Sequence, residues 1–288
     1  MISLSDAHQQ FIGHLKGKSR ATATILAYGK DIQQLVDYLQ DLGKTDPQQV
    51  TTEDLQLFMD KLAKENYTAK SISRKTNSTK TFFKFLKSIE AIKDDPAATL
   101  EHPKFENKPP RILSKLEYRA LRDGARADIR MIAVIELLLQ TGIRIGELAQ
   151  IRVEDVNFND PTTIHVPPFE GTNERIIPLN KPATEAVKKY LEIRTKTPSH
   201  TLFVTKTGKS LLIRNIRTAI DRYFRIAGIK EAKVNDLRHT WVAHQLQSGV
   251  PMTMVSKLAG HKRLSTTERY LQFVQNHNGA SKVKLEEL

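Results

Sequence analysis

A proline-rich stretch in the first half of the chain sets the strongest limit on its fold. Residues 101–112 read EHPKFENKPPRI, and a continuous helix or strand cannot pass through these prolines. The 288 residues are enough for two domains that each have a core. We therefore predict a helical N-terminal domain over residues 1–104, a linker over 105–112 and a second domain over 113–288.

The first hundred residues carry apolar side chains at helical spacing in residues 19–39, 51–62 and 71–89. The last of these helices is expected to bury Ile72, Phe82, Phe83, Leu86 and Ile89. Its other face carries five basic residues, Arg74, Lys75, Lys80, Lys84 and Lys87. A solvated basic face and a face that follows DNA phosphates both explain this pattern.

The second region mixes two kinds of pattern. Residues 113–122 and 127–140 are predicted to be helical, and MIAVIELLLQ is apolar nearly all round, which indicates a buried helix. Residues 162–178 are typical of a hairpin with Gly171 in its turn, residues 202–204 suggest a further strand, and helices follow from residue 213. The predicted fold class is mainly α with a small β-sheet (α+β).

The charge of the chain favours a polyanionic partner. The net charge is +13; residues 1–110 carry 16 Lys and Arg against 14 Asp and Glu, and residues 111–288 carry 29 against 18. A basic surface that serves only solubility remains the alternative. No cysteine is present, which excludes disulfides and thiolate metal sites. Without a long apolar run or a signal-peptide pattern, we expect a cytoplasmic protein with no membrane partner.

The segment TGIRIGELAQIRVEDV places two charged residues at a predicted helix boundary. The buried helix is expected to end at Gly142 in a left-handed cap, with Arg144 and Glu147 at the start of a short helix. Free N–H groups at a helix start favour anions, and an arginine there suits a phosphate. On this segment alone, a simple ion pair between Arg144 and Glu147 is the better explanation.

A second arginine lies at another predicted helix start, in VNDLRHTWVAHQLQSGV. Asp236 is expected to cap this helix, which would place Arg238 and His239 in its first turn.

The segment GHKRLSTTERY combines a histidine and a tyrosine. His261 follows a helix stop at Gly260, residues 265–268 have the pattern of a capping box, and Tyr270 is expected on the helix that the box opens. Two arginines, a histidine and an oxygen nucleophile are what phosphoryl transfer requires. Tyr270 is the credible nucleophile, because the chain has no cysteine and no evident Ser–His–Asp pattern.

Together, TGIRIGELAQIRVEDV, NDLRHTWVAHQL and LAGHKRLSTTERY resemble the motifs of the tyrosine recombinases, the family of phage integrases and Xer recombinases. The resemblance implies a helical, SAM-like core-binding domain followed by a catalytic domain. It implies that Arg144 and Arg238 clamp the scissile phosphate, that His261 hydrogen-bonds it and that Tyr270 attacks it. Glu147 matches an acidic residue that supports the first arginine.

The resemblance also implies partners. It predicts a double-stranded DNA target with a specific site, a tetramer of the chain on DNA, and a nucleoid location; accessory proteins are left open. No cofactor, ATP or metal is expected. His239 and the five basic residues of the helix at 71–89 are expected to contact DNA. Residues 279–288 are expected to dock on a neighbouring protomer.

Two positions depart from the family pattern. Asn235 stands where family members usually have a histidine, and an amide cannot act as a base near neutral pH. Deprotonation of Tyr270 would then rely on phosphate oxygens, water or His261. The family commonly has a lysine in the hairpin that protonates the leaving 5′ oxygen, but residues 157–180 contain none, with Phe169 or Glu170 near its place. Lys206 and Lys209, in TKTGKS, are distant candidates only, so the general acid stays open.

These departures keep other functions open. A DNA-binding protein of the same fold with weak or absent strand exchange is one alternative, and DNA relaxation like that of a type IB topoisomerase is another. A helix-turn-helix regulator is a more distant one, because it would not need Arg144, Arg238, His261 and Tyr270 to converge.

Overall fold

The structure, a computed structural model, describes residues 2–18, 20–106 and 109–275. The chain divides into two compact units, residues 1–108 and residues 109–288. Each unit has its own apolar core. Helices predominate and three short strands form one sheet, so the predicted fold class is confirmed. In the described part of the chain, no helix is both long enough and apolar enough to cross a membrane.

Four α-helices build the first unit: α1 (Leu4–Gly17), α2 (Thr22–Asp41), α3 (Thr52–Lys64) and α4 (Ala69–Ser88). Phe11 from α1 packs edge-on against Phe82 from α4, with ring centroids 5.3 Å apart. The expected inward residues of α4 are buried except Ile89. Ile89 is exposed because α4 ends at Ser88 and the next residue turns away as its C-cap.

The second unit contains nine α-helices among its described residues, and the three strands lie between the third and the fourth of them. The helices are α5 (Lys115–Ala125), α6 (Ile129–Thr141), α7 (Ile145–Leu148), α8 (Lys181–Ile193), α9 (Ile213–Ile226), α10 (Val234–Gln247), α11 (Met252–Ala259), α12 (Ser265–Glu268) and α13 (Leu271–Gln275). Helix α6 is the central element, as its apolar sequence indicates, and its residues from Ala133 to Leu139 are buried.

The sheet consists of β1 (Val156–Asn157), β2 (Thr163–Val166) and β3 (Arg175–Pro178), all antiparallel in the order β1-β2-β3. Strands β2 and β3 form the predicted hairpin, with Gly171 at φ +80° in its turn. The strand predicted at residues 202–204 is wrong. These side chains are buried, but in the described structure the segment makes only an isolated bridge between Val204 and Ser210, with another at Thr201.

Gly142 ends α6 in the left-handed conformation that the sequence predicts, with φ +63°. The ring of Trp241 fills the space beside it, because a Cβ built on Gly142 would lie 2.3 Å from Trp241 Cε3. Position 142 therefore requires glycine for two reasons: the positive φ of its backbone and the close approach of the indole.

We predict that Gly142→Ala lowers the free energy of unfolding by at least about 1 kcal/mol more than Gly249→Ala does. Both positions have positive φ, which costs a residue with a Cβ about 1–2 kcal/mol. Overpacking adds about 1–3 kcal/mol, and it applies only at Gly142 because a Cβ at Gly249 has no neighbour within 4 Å. Urea unfolding, followed by the fluorescence of the chain's one tryptophan, measures both. Equal losses would contradict the role of the Trp241 contact.

Candidate active site

Glu147 is the fixed point around which the candidate site is built. It lies on the one-turn helix α7, is fully buried, and accepts a hydrogen bond from the backbone N–H of Arg144 at 2.7 Å. The Arg144 guanidinium pairs with the same carboxylate, Nη1 to Oε1 at 3.0 Å. Arg144 also donates from Nη2 to the carbonyl oxygen of Gly260 at 3.0 Å, which ties α7 to the end of α11.

A second arginine, Arg175 at the start of β3, binds Glu147 with both terminal nitrogens, at 3.0 and 2.8 Å. Its Nε donates to the carbonyl oxygen of Leu258 at 2.6 Å. Burial by itself raises the pKa of Glu147, but the hydrogen bonds from Arg175 and from the Arg144 backbone, with the charges of both arginines, outweigh it and hold the pKa at about 2. The carboxylate is therefore ionised at all ordinary pH values.

Arg175 is a site residue that the sequence reasoning missed. The available signal was the alternation along the hairpin: Val166 is buried on β2 and pairs with Arg175, just as Ile164 pairs with the buried Ile177. An arginine in phase with buried aliphatic residues needs a buried anion, and Glu147 provides it.

Arg238 lies in α10, which begins three residues earlier than predicted. Asp236 is not the N-cap; Lys233 is, and the Asp236 carboxylate accepts the Lys233 N–H at 2.8 Å. Arg238 therefore lies in the second turn. Its Nη1 donates to the carbonyl oxygen of Gly142, and its Nη2 is buried without a hydrogen-bond partner among the described residues. Burial, and then the charge of Arg144, lower the pKa of Arg238 to about 9.

These three arginines, Arg144, Arg175 and Arg238, form what we call the arginine cluster. Glu147 is the one carboxylate that pairs with any of them in the described structure. Three guanidinium groups thus share a single negative charge in a largely buried place. Uncompensated buried charge is costly, so an anion beside the cluster would be stabilised.

His261 follows directly after Gly260, which ends α11 at φ +66° as predicted. The hydrogen bond from Arg144 to the Gly260 carbonyl holds this residue next to the cluster. The His261 Nδ1 lies 2.7 Å from the hydroxyl of the buried Thr267. Burial, with the positive charges of Arg238 and Arg144, lowers the pKa of His261 to about 3, so the imidazole is neutral near pH 7.

Tyr270 lies in the turn between α12 and α13, and not on a helix opened by a capping box. The capping-box prediction is wrong, because α12 spans only Ser265–Glu268 and has Leu264 as an N-cap without a side-chain hydrogen bond. The tyrosine is 4% exposed, and its ring stacks at 12° to that of His261 with centroids 6.4 Å apart. Burial raises the pKa of the phenol, and the charge of Arg238 acts against this rise.

His239 lies beside the nucleophile candidate. Its Nδ1 is 2.6 Å from the Tyr270 hydroxyl, so its nearest described partner is this phenol. Burial lowers the pKa of His239 below 6.5, which keeps the ring neutral. Asn235 precedes it by one helical turn, is exposed, and makes no side-chain hydrogen bond among the described residues. The structure therefore brings Arg144, Arg238, His261 and Tyr270 together near the buried Glu147, whereas Asn235 is exposed.

One of the five basic residues predicted to face DNA from α4 is misplaced. Lys75 is buried, and its Nζ donates to Asp31 Oδ1 at 3.0 Å and to Gln34 Oε1 at 2.6 Å. The prediction of an exposed Lys75 is wrong, because the carboxylate of Asp31 on α2 draws the ammonium inward.

The other four keep some exposure. Arg74 also pairs with Asp31 but leaves 44% of its side chain exposed. Lys80 donates to the carbonyl oxygen of Ala98 at 3.2 Å, and Lys84 and Lys87 are exposed. Lys84 and Lys87 thus remain the clearest candidates on this face for contact with a polyanion.

The chain matches two family models. Residues 106–277 match the phage integrase family, and residues 9–89 match the N-terminal SAM-like domain of phage integrases. It is 30% identical to the tyrosine recombinase XerC of Chlorobaculum parvum, with 91% of this chain and 88% of that protein covered. It is 29% identical to XerD of Rickettsia bellii, with 88% and 89% covered. A crystal structure of a lambda integrase tetramer bound to a Holliday junction matches with a TM-score of 0.75, 17% identity, and coverage of 91% and 78%.

We predict that Glu147→Gln removes a contribution to the free energy of unfolding that is present at neutral pH and lost in acid. Because the folded-state pKa of Glu147 is about 2, below the ordinary 4.5, this contribution is present above pH 4.5 and is lost as the pH falls towards 2. Breaking a buried ion pair costs about 3–5 kcal/mol. Urea unfolding at pH 7 and at pH 3, followed by tryptophan fluorescence, should show a loss for Glu147→Gln that shrinks at the lower pH.

Glu117→Gln is the matched control. Its carboxylate also pairs with an arginine, Arg111, but 30% of the Glu117 side chain is exposed, so the loss should be about 1 kcal/mol or less. Equal losses from both variants at pH 7 would contradict the account of Glu147.

Proposed function

The chain belongs to the phage integrase family and is a site-specific DNA recombinase, and we propose that it cleaves each strand by attack of Tyr270 on a backbone phosphate. The attack forms a bond between the phenolic oxygen and phosphorus and releases a 5′-hydroxyl, leaving a 3′-phosphotyrosine. The 5′-hydroxyl of the partner strand then attacks this ester and frees the tyrosine. The energy of the phosphodiester bond is kept throughout, so the exchange needs no external energy source.

The observation that carries this proposal is the buried Nη2 of Arg238, which has no hydrogen-bond partner among the described residues. A non-bridging phosphate oxygen is an acceptor that would satisfy Nη2, and its charge would offset the excess of the arginine cluster. Arg144 is the second arginine we assign to the phosphate, since 34% of its side chain is exposed. Arg175 is fully engaged with Glu147 and Leu258, so we assign it to holding the site together.

We assign the remaining contacts to the two histidines. When the Thr267 hydroxyl donates to His261 Nδ1, the neutral imidazole carries its proton on Nε2 and can donate it to the phosphate. His239 Nδ1, 2.6 Å from the Tyr270 hydroxyl, is placed to accept the phenolic proton as attack proceeds. This role would compensate for Asn235, whose amide we limit to a hydrogen bond with the DNA backbone.

For DNA binding we propose phosphate contacts from the exposed basic residues of α4 and from the second unit, where most of the positive charge lies. We further propose a tetramer on two duplexes, by analogy with the lambda integrase assembly, and action at the nucleoid. The segment predicted to dock on a neighbour, residues 279–288, lies outside the described residues. The sequence predicts neither that accessory proteins are required nor that they are dispensable.

We predict that Tyr270→Phe binds DNA normally and forms no covalent adduct. The probe is a duplex selected from a random library by binding to the protein, prepared as a series in which a nick moves one nucleotide at a time along the bound strand. Adducts are resolved on denaturing gels, and the modified peptide is identified by mass spectrometry. Tyr223→Phe, which removes another hydroxyl of the second unit, should keep the adduct. An adduct on Tyr270→Phe would refute the assignment of the nucleophile.

The pH dependence of adduct formation should reflect His239. Burial lowers the pKa of His239 below 6.5, the charge of Asp236 raises it, and the charges of Arg238 and Arg269 lower it. The imidazole is therefore still neutral at pH 6.5 and able to accept a proton. We expect the adduct rate to fall only below that pH. His261, with a pKa of about 3, does not titrate in this range.

His239→Gln should slow adduct formation by about 100-fold or more, the usual range for a lost general base, and should remove this acid limb. We assign His239 to Tyr270 in place of the DNA contact expected from the sequence, so DNA affinity, measured in parallel, should be unchanged. A variant that keeps both the rate and the acid limb of the wild-type protein would exclude His239 as the base.

A further inference from the structure

Strand cleavage leaves one proton unaccounted for. The departing 5′ oxygen would leave as an alkoxide, which is about as basic as hydroxide, and the pKa of water is about 15.7. A proton donor beside this oxygen therefore accelerates the step. His261 is neutral near pH 7 and binds the phosphate in the proposed function, and residues 157–180, which include the hairpin, contain no lysine.

The polar groups of the hairpin turn are poor donors for this proton. The Thr172 hydroxyl is directed at oxygens of Phe169 and Glu147, at 2.8 and 3.2 Å. Glu170 is a carboxylate on an exposed residue with positive φ, and an ionised carboxylate accepts hydrogen bonds but donates none. The donor must come from another element that reaches the same place.

Lys262 reaches the hairpin turn from the segment that follows α11. A cavity of about 630 Å³ lies between the hairpin and the end of α11, and its lining includes Gly171, Arg175, His261 and Lys262. The Lys262 Nζ lies 2.9 Å from the position of a Cβ built on Gly171, so the ammonium covers the hairpin turn itself. Since Lys262 directly follows His261 in the chain, its side chain and the phosphate-binding imidazole open on one cavity.

We propose that Lys262 is the general acid that protonates the leaving 5′ oxygen, an inference that rests on the proposed function of Tyr270. As the bond from the phenolic oxygen to phosphorus forms, the bond from phosphorus to O5′ breaks and its electron pair goes to O5′. A proton passes from the Lys262 ammonium to O5′, which leaves as a hydroxyl, and Lys262 becomes a neutral amine. The phenolic proton passes separately to His239. On rejoining, the amine takes the proton back from the attacking 5′-hydroxyl.

The site explains why the acid can lie on this flexible side chain. The guanidinium groups of Arg144 and Arg175 are bound to the Glu147 carboxylate, so they stay charged when the Lys262 proton moves. Lys262 is exposed and makes no ion pair among the described residues, which leaves the ammonium free to follow the oxygen. Lys257 lines the same cavity and is also exposed, which makes it a matched control for the loss of one positive charge.

The test compares two nicked duplexes of the selected sequence, one normal and one with sulfur in place of O5′ at the cleaved phosphate. A thiolate leaves without protonation, because a thiol has a pKa of about 8.5. Lys262→Ala should form the Tyr270 adduct about 100-fold or more slowly than wild type on the oxygen duplex, and within about 3-fold of wild type on the sulfur duplex. Lys257→Ala should change both rates by the same factor.

Two results would overturn the assignment of Lys262. One is a Lys262→Ala rate equal to wild type on the oxygen duplex, with the Tyr270 adduct intact; the other is an equal loss on both duplexes, which would make Lys262 a DNA-contact residue. A different result would refute the proposed function itself. If wild type forms no Tyr270 adduct on either duplex, the nucleophile assignment falls, and the role of Lys262 falls with it.

Discussion

The ion pair between Glu147 and its two arginines is the interaction on which the site depends. It joins three parts of the second unit that are far apart in sequence: α7, which supplies Glu147 and Arg144; β3, which supplies Arg175; and the end of α11, whose carbonyl groups accept from both arginines. Because one carboxylate serves two guanidinium groups and Arg238 adds a third, the structure keeps an excess of positive charge where we propose that a phosphate binds.

Burial then divides the chemical roles. It lowers the pKa values of His261 and His239, so both imidazoles are neutral, and one can donate to an anion while the other accepts a proton. Burial also raises the pKa of Tyr270, which keeps the phenol protonated until a base and a bound phosphate are both present. The proposed acid, Lys262, is in contrast exposed.

Local sequence signals predicted much of this. Helical spacing identified the main helices, and the glycines at 142 and 260 marked the helix ends where site residues follow. Contacts between distant segments were beyond such signals. Both isoleucines of RIIP are apolar, so only pairing with β2 decides that Arg175 points inward. Likewise, Lys75 matches an exposed basic face until Asp31, 44 residues away, draws it into the core. The contact of His239 with Tyr270 joins residues that are 31 positions apart, and no periodic pattern in the sequence predicts it.

The central claim is that the arginine cluster binds one backbone phosphate beside Tyr270. The most direct measurement is a crystal structure of the Tyr270→Phe variant bound to its selected duplex. We expect a non-bridging oxygen of one backbone phosphate within about 3 Å of Arg238 Nη2, the usual length of a hydrogen bond to a guanidinium. A complex in which DNA is bound while every phosphate lies beyond hydrogen-bond reach of Arg238 would contradict the claim.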